Sequence, residues 1–132
     1  MTGPLSFTVM GPPAVKGSTF AFANRRGRVI TKQDSKNGKA WARSVAIIAA
    51  SFGRPMIPKG TGVIVDVVYE FEPPIRLGRS DPCVRPDVDK LARALLDALT
   101  GVVYHDDGQV VDLHVTKIYG PHTCARITVQ PK

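Results

Sequence analysis

The sequence is short of acidic residues, cysteine and aromatic rings, and it holds no long apolar run; each shortage closes a class of function. No stretch approaches the roughly 20 apolar residues that cross a bilayer, so no membrane span is expected. The first residues lack the charged start, apolar centre and small-residue cleavage site of a secretory leader, in that order. The two cysteines, Cys83 and Cys124, have no CxxC and no histidine partner at zinc-finger spacing. They read as free thiols, and the expected compartment is the cytoplasm. GxxxxGK, GxSxG and GxGxxG are all missing, which removes the phosphate-loop, serine-hydrolase and dinucleotide-binding signatures. His105, His114 and His122 are not grouped as zinc ligands are. His105 alone, beside an aspartate pair, has a place from which to act as a general base, and it reads equally as a turn residue.

What is present is a basic chain of one-domain size. Its 132 residues are 43% hydrophobic, enough for an ordinary core. Lys and Arg number 18 against 11 Asp and Glu, a balance that suits a polyanionic partner, because such side chains displace counterions from phosphates. The charges are segregated. Lys16, Arg25, Arg26, Arg28, Lys32, Lys36, Lys39 and Arg43 are opposed only by Asp34. Asp87, Asp89, Asp97, Asp106, Asp107 and Asp112 then make up six of the 11 acids, facing only Lys90 and Arg93. A plain nucleic-acid-binding module would be repelled at that stretch. A nuclease needs one, because carboxylates must hold a metal beside the phosphate. A solvated acidic face is the ordinary alternative.

Hydrophobic periodicity predicts the elements. Leu5, Phe7 and Val9 alternate as a strand that Gly11-Pro12-Pro13 stops. Residues 19–31 read as a hairpin with a basic tip at Asn24-Arg25-Arg26-Gly27. Trp41, Val45, Ile48, Ala49 and Phe52 recur at helical spacing from about Lys39, with Gly53 as the stop. Val63 to Phe71 alternates as a half-buried strand, and residues 73–86 form a proline-rich loop. Val88, Leu91, Ala92, Leu95, Leu96 and Leu99 make an amphipathic helix with Asp87 at its N-cap and Thr100-Gly101 at its end. Asp106-Asp107-Gly108 is a turn leading into a strand from Gln109 to Tyr119, and Ala125, Ile127 and Val129 mark a last strand. The fold class is α+β: one domain, residues 1–132, with two main helices packed on a mostly antiparallel or mixed sheet.

On this map the acids gather. Asp87 sits where helix N–H groups and the macrodipole favour negative charge. At about 100° per residue, Asp89, Arg93 and Asp97 share one strip beside the apolar face. If the strand after Asp107 packs beside the helix, Asp107 approaches the N-terminal carboxylates. Phosphodiester hydrolysis needs an activated water, shielded phosphoryl charge and a stabilised leaving oxygen, which metal ions held by carboxylates supply. Each acid also has a plain structural role open to it, as N-cap, turn residue or i, i+4 partner.

Arg85-Pro86-Asp87-Val88-Asp89-Lys90-Leu91, then Leu96-Asp97-Ala98-Leu99-Thr100-Gly101, then Tyr104-His105-Asp106-Asp107-Gly108-Gln109-Val110 resemble the core of the RusA family of Holliday junction resolvases. The three motifs keep the family's order and spacing over about 30 residues, and Gly11-Pro12-Pro13 with Lys16 also fits its beginning. The resemblance implies a homodimeric, magnesium-dependent endonuclease, common in phage and prophage genomes, that cuts four-way DNA junctions by paired nicks. Manganese is expected to substitute. By position Asp87, Asp89 and Asp107 take the place of the family's metal-binding catalytic aspartates, with Asp106 as an adjacent acid. A family lysine is replaced here by Arg93, and Lys90 stands where asparagine is usual. Arg93 can shield phosphate charge but does not readily lose a proton; if proton transfer is needed, Lys90 or Lys117 would have to take that part.

Lys16, Arg25, Arg26, Arg28, Lys32, Arg76, Arg79, Arg85 and Lys90 are the expected phosphate contacts, which carry little sequence information. Phe20, Phe22 and Tyr104 read as core residues or as wedges between bases. The expectation is a structure-selective endonuclease acting on branched DNA in recombination and repair, in a bacterial host's cytoplasm if phage-encoded. Its rivals are a non-catalytic architectural DNA-binding protein, a nuclease of flaps or forks, and a protein-interaction module using the basic face.

Overall fold

The computed structural model describes residues 3–13, 19–23, 29–33, 35–75, 78 and 80–132, with backbone alone for 19–23, 29–33 and 35–38. Strand β1 (Leu5–Met10) is followed by a hairpin of β2 (Thr19–Ala23) and β3 (Val29–Gln33), then helix α1 (Ser35–Ala50). Strand β4 (Val63–Phe71), helix α2 (Val88–Leu99), a 3₁₀ turn (Asp107–Gln109), β5 (Val110–Tyr119) and β6 (Cys124–Pro131) complete the order.

The expected hairpin is present as a separate two-stranded sheet, β2 antiparallel to β3. Its anticipated basic tip, Arg25, Arg26 and Arg28, lies outside the described residues. The main sheet has the order β1-β6-β4-β5. β6 is antiparallel to both β1 and β4, whereas β4 and β5 are parallel. The sheet is therefore mixed. A parallel neighbour requires a crossover of a dozen or more residues, and α2 provides it.

One face of the sheet is apolar and covered. Leu5, Phe7 and Val9 on β1, Val63, Val65, Val67 and Tyr69 on β4, and Ala125, Ile127 and Val129 on β6 are all buried. On the other face Ser6 Oγ lies 3.1 Å from Thr128 Oγ1, and Asp66 and His114 are exposed. This alternation is the period-2 pattern of a strand solvated on one side. Helix α1 packs on β1 and α2, and α2 reaches β5. Leu91, Leu95 and Leu99 of α2 are fully buried, each worth about 1.5–3 kcal/mol of apolar burial. Tyr69 and Tyr104 fasten the same helix, donating to the carbonyls of Leu91 at 3.0 Å and Leu96 at 2.9 Å. Burial pushes both phenols up from their ordinary value, so they remain protonated donors.

Helix α1 starts at Ser35, four residues before the apolar period first shows, because Ser35, Lys36, Asn37 and Gly38 contribute nothing to that period. It ends at Ala50, and Gly53 stands beyond it at φ 64°, where a left-handed residue closes a helix. Phe52 is partly exposed, with its ring centroid 6.2 Å from that of Phe7.

Candidate active site

The loop before α2 is pinned from the sheet. Lys117 on β5 donates through Nζ to the carbonyls of Val84 at 2.7 Å and Pro86 at 2.9 Å. The Arg85–Pro86 peptide is cis. Asp87 then opens the helix in the expected N-cap position, with extended backbone (φ −72°, ψ 146°) and its carbonyl accepting from Leu91 N at 3.0 Å. Its side chain, however, makes no capping hydrogen bond. An N-cap aspartate ordinarily spends its carboxylate on the first-turn amides. This one leaves the carboxylate exposed beside Asp89, which lies in the first turn and is exposed too. An open depression of about 480 Å³ borders the spot, lined by Cys83, Val84, Arg85, Asp87, Val88 and Lys117.

Lys90, Arg93 and Asp97 are exposed along the rest of α2, so the predicted strip of Asp89, Arg93 and Asp97 faces solvent. The helix stops at Thr100, whose N–H and hydroxyl both donate to Leu96 O, at 3.1 and 2.7 Å. Gly101 turns the chain at φ 81°, and Tyr104 brings it back under the helix end.

The acidic pair that follows divides its labour. Asp106 Oδ1 accepts from Gly108 N at 2.9 Å, and Gln109 Oε1 accepts from His105 N at 2.9 Å and Asp106 N at 3.1 Å. This is a reciprocal capping box. Gln109 Nε2 extends it to the carbonyls of Pro58 at 3.0 Å and Thr61 at 3.2 Å. The Gly108 amide, followed by a hydrogen bond with Asp107, holds the Asp106 carboxyl below its usual value. Asp106 thus builds the turn, and Asp107 is presented on it, exposed.

The structure does not bring Asp107 to Asp87 and Asp89 within one chain. Because β4 and β5 are parallel, α2 runs back from the end of β4 to the start of β5. Asp87 lies beside Lys117, near the far end of β5, whereas Asp107 precedes Val110, its first residue. Asp107 and Asp97 both act on the Tyr104 hydroxyl at the C-terminal end of α2. Twelve residues of helix separate the two ends by roughly 18 Å. Among the described residues, no three of His, Cys, Asp or Glu are grouped to hold a metal. The three carboxylates are therefore not gathered at one point within a single chain; Asp87 and Asp89, exposed together at the start of α2, are the pair that would hold a magnesium ion, which keeps most of its waters and is commonly bound through one or two carboxylates.

Of the expected phosphate contacts, Arg85 and Lys90 are exposed close to Asp87 and Asp89. Lys16, Arg25, Arg26, Arg28, Arg76 and Arg79 lie outside the described residues, and Lys32 is on β3 with its side chain undescribed. His105 is exposed. His114 contacts Asp112 at 2.9 Å on the open sheet face, a surface pair of small energetic value. Sequence reasoning missed Gln109 as the clamp of the Asp107 turn, although its signal was there: Asp106-x-x-Gln109 has capping-box spacing. It also missed Lys117 as the residue that seats the loop before Asp87, for which local sequence offers no signal.

The chain is 30% identical over 138 residues to a Bacillus subtilis (strain 168) protein called "Uncharacterized protein YqaN", covering 96% of this chain and 95% of that one. The sequence model of the family described as Endodeoxyribonuclease RusA matches residues 11–130. That span takes in the α2 motif, the Asp106–Gln109 turn and every strand after the first, and by it the chain belongs to the RusA endodeoxyribonuclease family.

Proposed function

We propose that the protein is a magnesium-dependent, structure-selective endonuclease that resolves four-way DNA junctions by paired nicks, in recombination and repair. Manganese substitutes for magnesium, the working species is a homodimer, and the compartment is the cytoplasm, a bacterial host's if the chain is phage-encoded. The observation that carries this reading is an N-cap aspartate whose carboxylate the helix does not use, in a chain that belongs to an endodeoxyribonuclease family. Asp87, Asp89 and Asp107 are the catalytic carboxylates, with Asp106 setting the turn that presents Asp107. Arg93 shields phosphoryl charge from the middle of the α2 strip. Arg85 and Lys90, with Lys16, Arg25, Arg26, Arg28, Lys32, Arg76 and Arg79, grip the DNA backbone.

The test is cleavage of a synthetic four-way junction in magnesium by the parent and by Asp89→Asn, with binding followed by gel shift. Paired nicks from the parent, none from the variant and equal binding by both are expected. Tight binding with no cutting by the parent, in magnesium or manganese, would replace this reading with a non-catalytic architectural protein. Faster cutting of flaps or forks than of junctions would change the substrate and keep the chemistry.

A further inference from the structure

The face of the sheet that carries α2 runs on past the start of that helix. Phe71 stands two residues after Tyr69 on β4 and so takes the same face. Tyr119 is its register partner on β5, two residues after Lys117, whose amino group reaches the loop before Asp87. α2 covers Tyr69, accepting its phenol on the Leu91 carbonyl. Beyond Tyr69 a pocket of about 270 Å³ opens instead. Phe71 and Tyr119 line it half-buried, Pro74, Pro82 and Val84 add apolar surface, and Glu72 and Arg85 bring the only charges. The backbone around it is fastened. Gly120 N donates to Phe71 O at 3.0 Å, Glu72 N to Thr123 Oγ1 at 3.2 Å, and Lys117 Nζ to Val84 O at 2.7 Å. Val84 and Arg85 also line the depression that borders Asp87, so pocket and carboxylate open on one continuous surface.

We propose that this pocket takes one unstacked nucleobase of the DNA strand whose backbone lies at Asp87 and Asp89. The inference rests on the nuclease reading for DNA as the ligand, and on the pocket alone for the base. Two rings and two prolines are flat, rigid groups, and a base stacks on such surfaces whatever its identity, because every base has a π-face. The volume lies just below the roughly 300 Å³ at which pockets for drug-sized molecules begin, a size for one ring system. A phosphate has no place there, since the lining is apolar and the Glu72 carboxylate repels it; Arg85, on the shared rim, is the group that meets the backbone. Glu72 accepts hydrogen bonds and donates none, so it favours a base carrying an exocyclic amino group over thymine. Extruding a base costs pairing and stacking, least where it is mismatched or already unpaired. Such a pocket therefore adds selectivity for distorted or branched DNA over continuous duplex.

The experiment uses four-way junctions carrying a single 2-aminopurine at each nucleotide near the crossover in turn, bound in EDTA so that no strand is cut. This analogue is dark when stacked in a duplex and bright when extruded. With the parent, emission is expected to rise severalfold at one position, and a mismatch there to tighten binding roughly tenfold. Tyr119→Leu removes one ring, and Pro74→Glu sets a charge in an exposed part of the lining. Both are expected to lose the bright position and the mismatch effect. Each effect is read as a ratio to the matched junction, so a general change in affinity cancels. Because Pro74 is exposed, its variant answers even if the loss of a ring unsettles the sheet. Glu72→Leu is expected to keep the bright position and erase the disadvantage of thymine there. No bright position, or a bright position and mismatch effect that Tyr119→Leu and Pro74→Glu both keep, would overturn the proposal. If the parent binds junctions but cuts none in magnesium or manganese, the nuclease reading fails, while emission and mismatch ratio still decide the pocket.

Discussion

Glu70 is a buried carboxylate whose partners come from a distant part of the chain. Its Oε1 accepts from Arg126 Nη1 at 2.6 Å and its Oε2 from His122 N at 2.8 Å. The Arg126 hydrogen bond first, then the His122 amide, hold its pKa below the ordinary 4.5. A depressed acid contributes stability that is complete above its unfolded value and is lost as pH falls through the folded one. Glu70→Gln is therefore expected to lower the urea midpoint at pH 7, with the gap to the parent closing as pH drops below about 4.5. A gap constant from pH 7 to pH 3 would show that ionisation contributes nothing. Gly120 belongs to the same cluster, since a Cβ added there would collide with the Glu70 carboxyl group. None of this was legible in the sequence, because Glu70 and Arg126 stand 56 residues apart and only the β4–β6 register makes them neighbours. The Asp106–Gln109 box, by contrast, is a three-residue spacing and could be read directly.

Helix α2 was the most legible element, since its apolar positions repeat over three turns and all of Leu91, Leu95 and Leu99 are fully buried. Truncating the middle of that stripe, Leu95→Ala, should cost roughly 2–5 kcal/mol. An unfolding free energy lowered by less than about 1 kcal/mol in denaturant titration would mean that α2 is not seated as described. The opening of α1 was less legible because polar residues carry no period. The direction of β5 relative to β4 was not legible at all. Alternation reports which face a residue takes but not whether its neighbour runs parallel, and that one bit decides at which end of α2 Asp107 stands. The candidate residues could be named from the sequence; their partition between two ends of a helix could not.

Over the whole molecule the excess of 18 basic over 11 acidic residues predicts DNA affinity that falls steeply with salt. Replacing Arg85 and Lys90 together by glutamine should flatten the plot of log affinity against log salt by about two phosphate contacts, for any DNA sequence. An unchanged slope would place both side chains off the DNA. The order β1-β6-β4-β5 carries a different kind of consequence, one of time. β6 lies between two strands made much earlier, so β1 and β4 wait without their shared neighbour until Cys124–Pro131 leaves the ribosome. During that interval the apolar sides of Leu5, Phe7, Val65 and Val67 have only the helices to shelter them. A domain wired this way cannot close progressively from its beginning. It completes its sheet only once β6 has been made, and until then the nascent chain holds apolar strand faces without their shared partner, a state open to aggregation.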